Sequence, residues 1–216
     1  MKNYSAYIFD FDGVIKDSVK VKSRAFVQLY ESEGKEFQRK VEQYHLANGG
    51  ISRYVKFKVW NEWLGRSTSE EVIDELAETF AQLVIDNVVA SPFVNGALGA
   101  MESASHNALS FIATGTPDFE INLILSQLGL SKYFKEVHGS SKKKAIIIND
   151  ILERFHLDPH EVLFIGDAQT DYNAALDTGL DFYLRKTDYN SDWFEDKPCI
   201  TYQSNDLNYL NELITK

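Results

Sequence analysis

Near its start the chain carries an apolar run, Tyr7-Ile8-Phe9, that ends in Asp10-Phe11-Asp12-Gly13, two carboxylates one residue apart and then a glycine. A short apolar and aromatic run closed by a turn signal predicts a buried strand. A strand interior would reject two charges, so both acids belong at its carboxyl end. In open α/β sheets that edge is where ligands bind. The pattern then turns helical from Asp17 through Tyr30 and stays helix-rich to about Val89, with an amphipathic stretch around Val41 to Leu46 and no strand signal. Asn48-Gly49-Gly50 and Gly65-Arg66-Ser67-Thr68 interrupt it. Ser67, Thr68 or Ser69 can cap the next helix, whose first turn holds Glu70 and Glu71, as the helix dipole favours.

After Ser91-Pro92, strands and helices alternate. Helices are predicted over 95–107, 117–128 (stopped by Gly129), 143–155 and 171–178 (closed by Gly179). Strands are predicted over 109–113, 136–138, 162–165 and 182–184. Leu207, Leu210 and Leu213 mark a terminal helix docked on the sheet. Such alternation predicts βαβ units and a parallel sheet. The expected architecture is an α/β core from 1–16 and 91–216, with an all-helical cap, 17–90, inserted after the first strand.

Composition narrows the function. The 216 residues are 44% hydrophobic, enough for a sizeable core, and carry a net charge of -10. Nucleic acid and anionic membranes need clustered positive charge, so neither is an expected partner. Cys199 is the single cysteine, which leaves no disulfide framework and fits a reducing cytoplasm. The polar first residues and the early Asp10 and Asp12 do not read as a signal peptide. No run approaches the roughly 20 apolar residues of a membrane span.

Four predicted strand ends carry chemistry: Asp10 and Asp12; Thr114-Gly115-Thr116; the lysines Lys142 to Lys144; and Gly166-Asp167-Ala168-Gln169-Thr170-Asp171. Carboxylates packed together repel and call for a cation, and an all-oxygen site suits Mg²⁺. Gly115 lets the backbone approach a phosphate closely. In order and context these segments resemble the four motifs of the haloacid dehalogenase-like hydrolase superfamily. Length and cap position resemble its phosphoglycolate phosphatase and β-phosphoglucomutase branch, with a Rossmann-like core. The resemblance implies Asp10 as a nucleophile that forms an aspartyl phosphate and Asp12 as general acid and base. It implies Thr114 as a hydroxyl donor to phosphate and one lysine, Lys144 ahead of Lys142 or Lys143, as the phosphate-binding cation. Asp10, Asp167 and the backbone carbonyl of Asp12 would ligate the metal, with Asp171 orienting or outer.

Asp12 favours phosphate esters, because the dehalogenases of that superfamily lack this aspartate and its phosphonate-cleaving members have alanine there. Mutases of the branch usually carry a histidine where this chain has Lys22, and a threonine where it has Lys16, which favours hydrolysis. The expected activity is therefore a Mg²⁺-dependent phosphatase of a small phosphorylated metabolite. The alternatives are a phosphomutase, a phosphoryl-accepting receiver and an inactive phosphate-binding module. Arg53, a good bidentate anion ligand, is expected to lead the contact with the leaving group, with Lys56 second. Phe57, Trp60 and Trp63 fall near helical spacing and read as packing between the helices.

Overall fold

The computed structural model describes Lys2 to Thr215, so Met1 and Lys216, the outer limits of the expected core, lie outside the described residues. Among the described residues six strands form one parallel sheet in the order β3-β2-β1-β4-β5-β6: β1 Ala6–Phe9, β2 Leu109–Ala113, β3 Glu136–His138, β4 Val162–Gly166, β5 Asp181–Arg185 and β6 Tyr202–Ser204. Ile8 sits between Phe111 and Phe164 in register. Every residue of β1 and β4 is buried, as expected of parallel strands covered on both faces. Alternate side chains divide between two clusters. Tyr7 and Phe9 pack on one face, Ala6 and Ile8 on the other, the two-residue period of an extended chain.

The helices are α1 Val19–Leu29, α2 Gly34–Ala47, α3 Arg53–Trp63, α4 Glu70–Ala90, α5 Ala97–Asn107, α6 Asp118–Leu128, α7 Lys144–Phe155, α8 Gln169–Thr178, α9 Ser191–Phe194 and α10 Asn208–Thr215. α6 stops at Gly129 (φ 67°) and α8 at Gly179 (φ 75°), left-handed positions that glycine takes without a Cβ penalty. Between β1 and α5 no described residue lies in a strand element. α1–α4 join around Phe26, whose ring stacks on Phe80 at 4.0 Å and meets Trp60 and Phe57 edge-on. Phe57 and Trp60 are fully buried, while Trp63 stays half exposed and touches Phe37 and Tyr44 by its edge.

The strand order fixes where a site can form. From β1 the chain moves outward through β2 and β3, then crosses to β4 on the other side of β1. The loops after β1 and β4 therefore diverge, leaving a crevice at the carboxyl edge. Asp10 and Asp167 follow those two strands.

Candidate active site

Four chain segments converge at the crevice. Asp10 leaves β1 with its N–H bonded to the Ile165 carbonyl at 2.9 Å. Asp167 follows β4, Asp171 lies in the first turn of α8, and Lys144 opens α7. All four are buried, as is Thr114 after β2, whereas Lys142 and Lys143 are exposed. Oxygens of Asp10, Asp167 and Asp171 lie within 4.8 Å of one another. Gly13 (φ 79°) makes this approach possible, because a Cβ there would come within 2.0 Å of Asp167 Oδ2.

Burial and the neighbouring acids Asp171 and Asp12 push Asp10 up to about 7, against the pull of Lys144. Burial, with Asp10 and Asp171 nearby, pushes Asp167 well above the usual carboxylate range. Burial alone would lower the Lys144 ammonium, but Asp10 and Asp171 hold it above its ordinary value. Lys144 Nζ bonds Asp171 and lies 3.1 Å from Asp10 Oδ1, a contact of charge rather than hydrogen-bond geometry that leaves Oδ1 buried without a donor. A repelling set of buried carboxylates with an unbonded oxygen fits a hard divalent cation. Asp171 offers it least. Its Oδ1 accepts from Lys144, and its Oδ2 accepts from the N–H groups of Asp167 (3.2 Å) and Ala168 (3.0 Å).

Asp12 occupies a different setting. Its carboxylate accepts from Ser18 (2.6 Å), Thr116 (2.8 Å) and Lys22. Burial would raise it, but the Lys22 ammonium and these donors hold it below the usual range. Lys22 also reaches Thr116 Oγ1 at 2.7 Å. Ser18 and Lys22 stand four residues apart at the start of α1, one turn of a single face. That spacing was a usable signal. Two further residues had none: Tyr189 donates to Asp167 Oδ2 at 3.1 Å, and Asn190 donates to the Asp167 carbonyl at 2.7 Å.

The helices α1–α4 roof the crevice. Thr170 donates to the Gly49 carbonyl at 3.0 Å, and a Cβ on Gly115 would come within 2.6 Å of the Gly50 oxygen. Glycine at 115 thus admits the 48–51 turn. A cavity of about 280 Å³ remains, with Asp10, Asp12 and Asp167 on the sheet side and Lys22, His45 and Lys56 on the helical side. Arg53 also lines it, but its guanidinium is held by Glu120 of α6 through two bonds of 2.8 and 2.6 Å.

The family model described as haloacid dehalogenase-like hydrolase matches residues 7–184. The chain is 29% identical over 186 residues to the phosphorylated carbohydrates phosphatase of Thermotoga maritima, covering 82% of each chain. It is 22% identical over 184 residues to phosphoglycolate phosphatase 1 of Pseudomonas aeruginosa, covering 80% of this chain and 66% of that one. Among solved structures it is similar to the HAD-hydrolase YfnB of Bacillus subtilis bound to magnesium, with a TM-score of 0.72, 18% identity and 100% of both chains covered. A predicted phosphatase from Clostridium acetobutylicum matches with a TM-score of 0.76, 18% identity and 99% of both chains covered.

Proposed function

Because the chain belongs to the haloacid dehalogenase-like hydrolase family, whose named relatives here are phosphatases, we propose that it hydrolyses a small phosphorylated metabolite with Mg²⁺ through an aspartyl phosphate on Asp10. The observation that carries this reading is Asp10 itself, a buried carboxylate with an unbonded oxygen on the sheet side of the cavity, beside Asp167 and Lys144.

In this reading an Asp10 oxygen forms a bond to phosphorus as the bond to the ester oxygen breaks, and water later displaces Asp10. Two displacements replace one harder step. Asp12 takes a proton from the attacking water and returns it to the departing oxygen of the next turnover; Ser18, Thr116 and Lys22 hold it in place and favour the carboxylate form in which it meets the water. Thr114 and Lys144 bind phosphoryl oxygens, and Lys144 also offsets the charge on Asp10. Asp10, Asp167 and the Asp12 carbonyl would hold Mg²⁺, with Asp171 positioning Lys144 and the 167–168 backbone. When bound, Mg²⁺ supplies positive charge toward the phosphoryl oxygens. Residues 17–90 act as a cap that excludes bulk water from the reacting phosphate. Among the described residues no helix is long and apolar enough to cross a membrane, and the exposed free thiol of Cys199 favours a reducing cytoplasmic setting.

A phosphate-release screen over phosphorylated metabolites, run with and without Mg²⁺ and with Asp10→Asn as the blank, tests the proposal. Mg²⁺-dependent release absent from the blank is the expected result. Release that survives in Asp10→Asn removes the nucleophile assignment, and an isomerised sugar phosphate formed with a bisphosphate activator would indicate a mutase.

A further inference from the structure

Three cationic side chains of the helical roof line the cavity, and two of them are neutralised: Arg53 by Glu120 and Lys22 by Asp12. Lys56 is not. It is 2% exposed, its Nζ meets the Nδ1 of His45 at 2.8 Å, and among the described residues no carboxylate lies within ion-pairing distance of it. His45 is itself buried, with its ring 4.8 Å from that of Phe26, and its Nε2 is buried without a hydrogen-bond partner among the described residues. Burial, with Lys56 and Lys22 nearby, keeps the imidazole neutral at physiological pH. It is therefore an acceptor for Lys56 and not a counter-charge.

An ammonium carries three donors, and one of them is engaged. Its Nζ also lies 5.6 Å from the centre of the Phe26 ring, but a buried cation without a counter-charge is costly, and a methionine or leucine at 56 would fill the same space without that cost. Burial, with Lys22 adding repulsion against the weaker pull of Asp12, lowers this lysine to about 7. An anion arriving in the cavity would restore its charge. Arg53, the expected anion ligand, has its guanidinium bound to Glu120.

We infer that Lys56, oriented by His45, binds a second oxyanion on the substrate, a carboxylate or a second phosphate a few atoms from the phosphoryl group. This rests on the phosphatase reading and names its substrate class: a compact phosphomonoester with an anionic far end.

The test uses a matched three-carbon series on the full chain: 3-hydroxypropyl phosphate, 3-phosphooxypropanoate and propane-1,3-diol bisphosphate. The wild-type protein is expected to favour one or both anionic-ended compounds over the hydroxyl-ended one in kcat/KM, and which of the two is favoured tells carboxylate from phosphate. Lys56→Met is expected to lower that preference at least tenfold, mainly through KM, with Lys56→Arg recovering part of it. Lys58→Met, an exposed charge removal on the same helix, should keep the wild-type preference. No preference in the wild type, or an equal fall for all three compounds in Lys56→Met, overturns the inference. If the wild type releases no phosphate even from p-nitrophenyl phosphate, the phosphatase reading fails separately. Lys56 is then judged by calorimetric titration of Asp10→Asn and Asp10→Asn/Lys56→Met with the bisphosphate, where equal Kd values overturn it. A thermal midpoint for each variant confirms that it is folded.

Discussion

Removing the guanidinium of Arg53 while keeping its apolar stem, as Arg53→Met does, leaves Glu120 as a buried carboxylate with no partner. Both side chains are buried, their two bonds measure 2.8 and 2.6 Å, and the guanidinium also lies 4.5 Å from the centre of the Phe80 ring. Breaking a buried ion pair on one side costs about 3–5 kcal/mol. In a chain of this size each kcal/mol moves the thermal midpoint by roughly 2–4 °C, so the midpoint should fall by roughly 10 °C. Arg53→Met/Glu120→Leu removes the stranded charge and should regain most of the loss, which a double-mutant cycle followed by urea unfolding reads directly. A single-variant cost below about 1 kcal/mol, or a double variant no more stable than the single one, refutes the reasoning. The double variant also settles the leaving-group expectation: an unchanged KM for the best substrate assigns Arg53 to fastening the roof onto α6, and a large rise returns it to substrate binding.

Lys56→Met should stabilise the protein near neutral pH. Moving a lysine from 10.5 to about 7 corresponds to roughly 5 kcal/mol at most, at about 1.4 kcal/mol per pH unit. The unfolded chain binds the extra proton between about 7 and 10.5, so this group makes wild-type stability rise with pH through that window. The advantage of Lys56→Met is therefore largest below pH 7 and fades toward 10.5. His45, Lys22 and Asp12 face position 56 in both proteins, and losing Lys56 also relieves His45, so the part of the difference between the two urea-unfolding profiles that lies between about pH 7 and 10.5 reads Lys56, and a pH-independent difference there would count against the buried charge. Gly13→Ala forces a left-handed alanine against Asp167 Oδ2. It should cost about 1–3 kcal/mol and abolish Mg²⁺-dependent turnover, and activity near wild type would show that Asp167 can move freely. Lys22→Met removes the ammonium that fixes the Asp12 carboxylate and keeps it ionised, and should lower kcat about tenfold, less than the roughly 10²–10⁴ that proton transfer as a whole contributes. An unchanged kcat would separate Lys22 from the Asp12 role.

The sheet was legible where its strands are apolar. The runs at 109–113 and 162–165 recur as β2 and β4, because strands covered on both faces must be hydrophobic throughout. β6, Tyr202–Ser204, carries no sequence signal, since a three-residue edge strand of Tyr-Gln-Ser has no apolar run to display. In α2 the stretch around Val41 to Leu46 stood out, but Gly34 and the charges after it hid the first two turns. Among the three lysines the resemblance favours Lys144 while leaving Lys142 and Lys143 open, and burial is what sets it apart: Lys144 is the buried first residue of α7, whereas the other two are exposed. What escaped depends on distant pairing. Arg53 meets Glu120 across 67 residues, Tyr189 meets Asp167 from the loop after β5, and His45 meets Lys56 across two helices. No local period encodes such meetings. Lys22 lies between these cases: the sequence marks it as standing where the resembling mutases carry a histidine, while its place on Asp12 follows only from α1 lying over the β1 turn.

Whether Asp10 becomes phosphorylated is the most direct question. The protein is mixed with its best substrate and Mg²⁺, quenched during turnover and treated with borohydride, which reduces an aspartyl phosphate to homoserine, and its peptides are weighed by mass spectrometry. The account predicts homoserine at position 10, only when substrate and Mg²⁺ are both present and not in Asp10→Asn. Reduction at another carboxylate, or none at all during confirmed phosphate release, would contradict it.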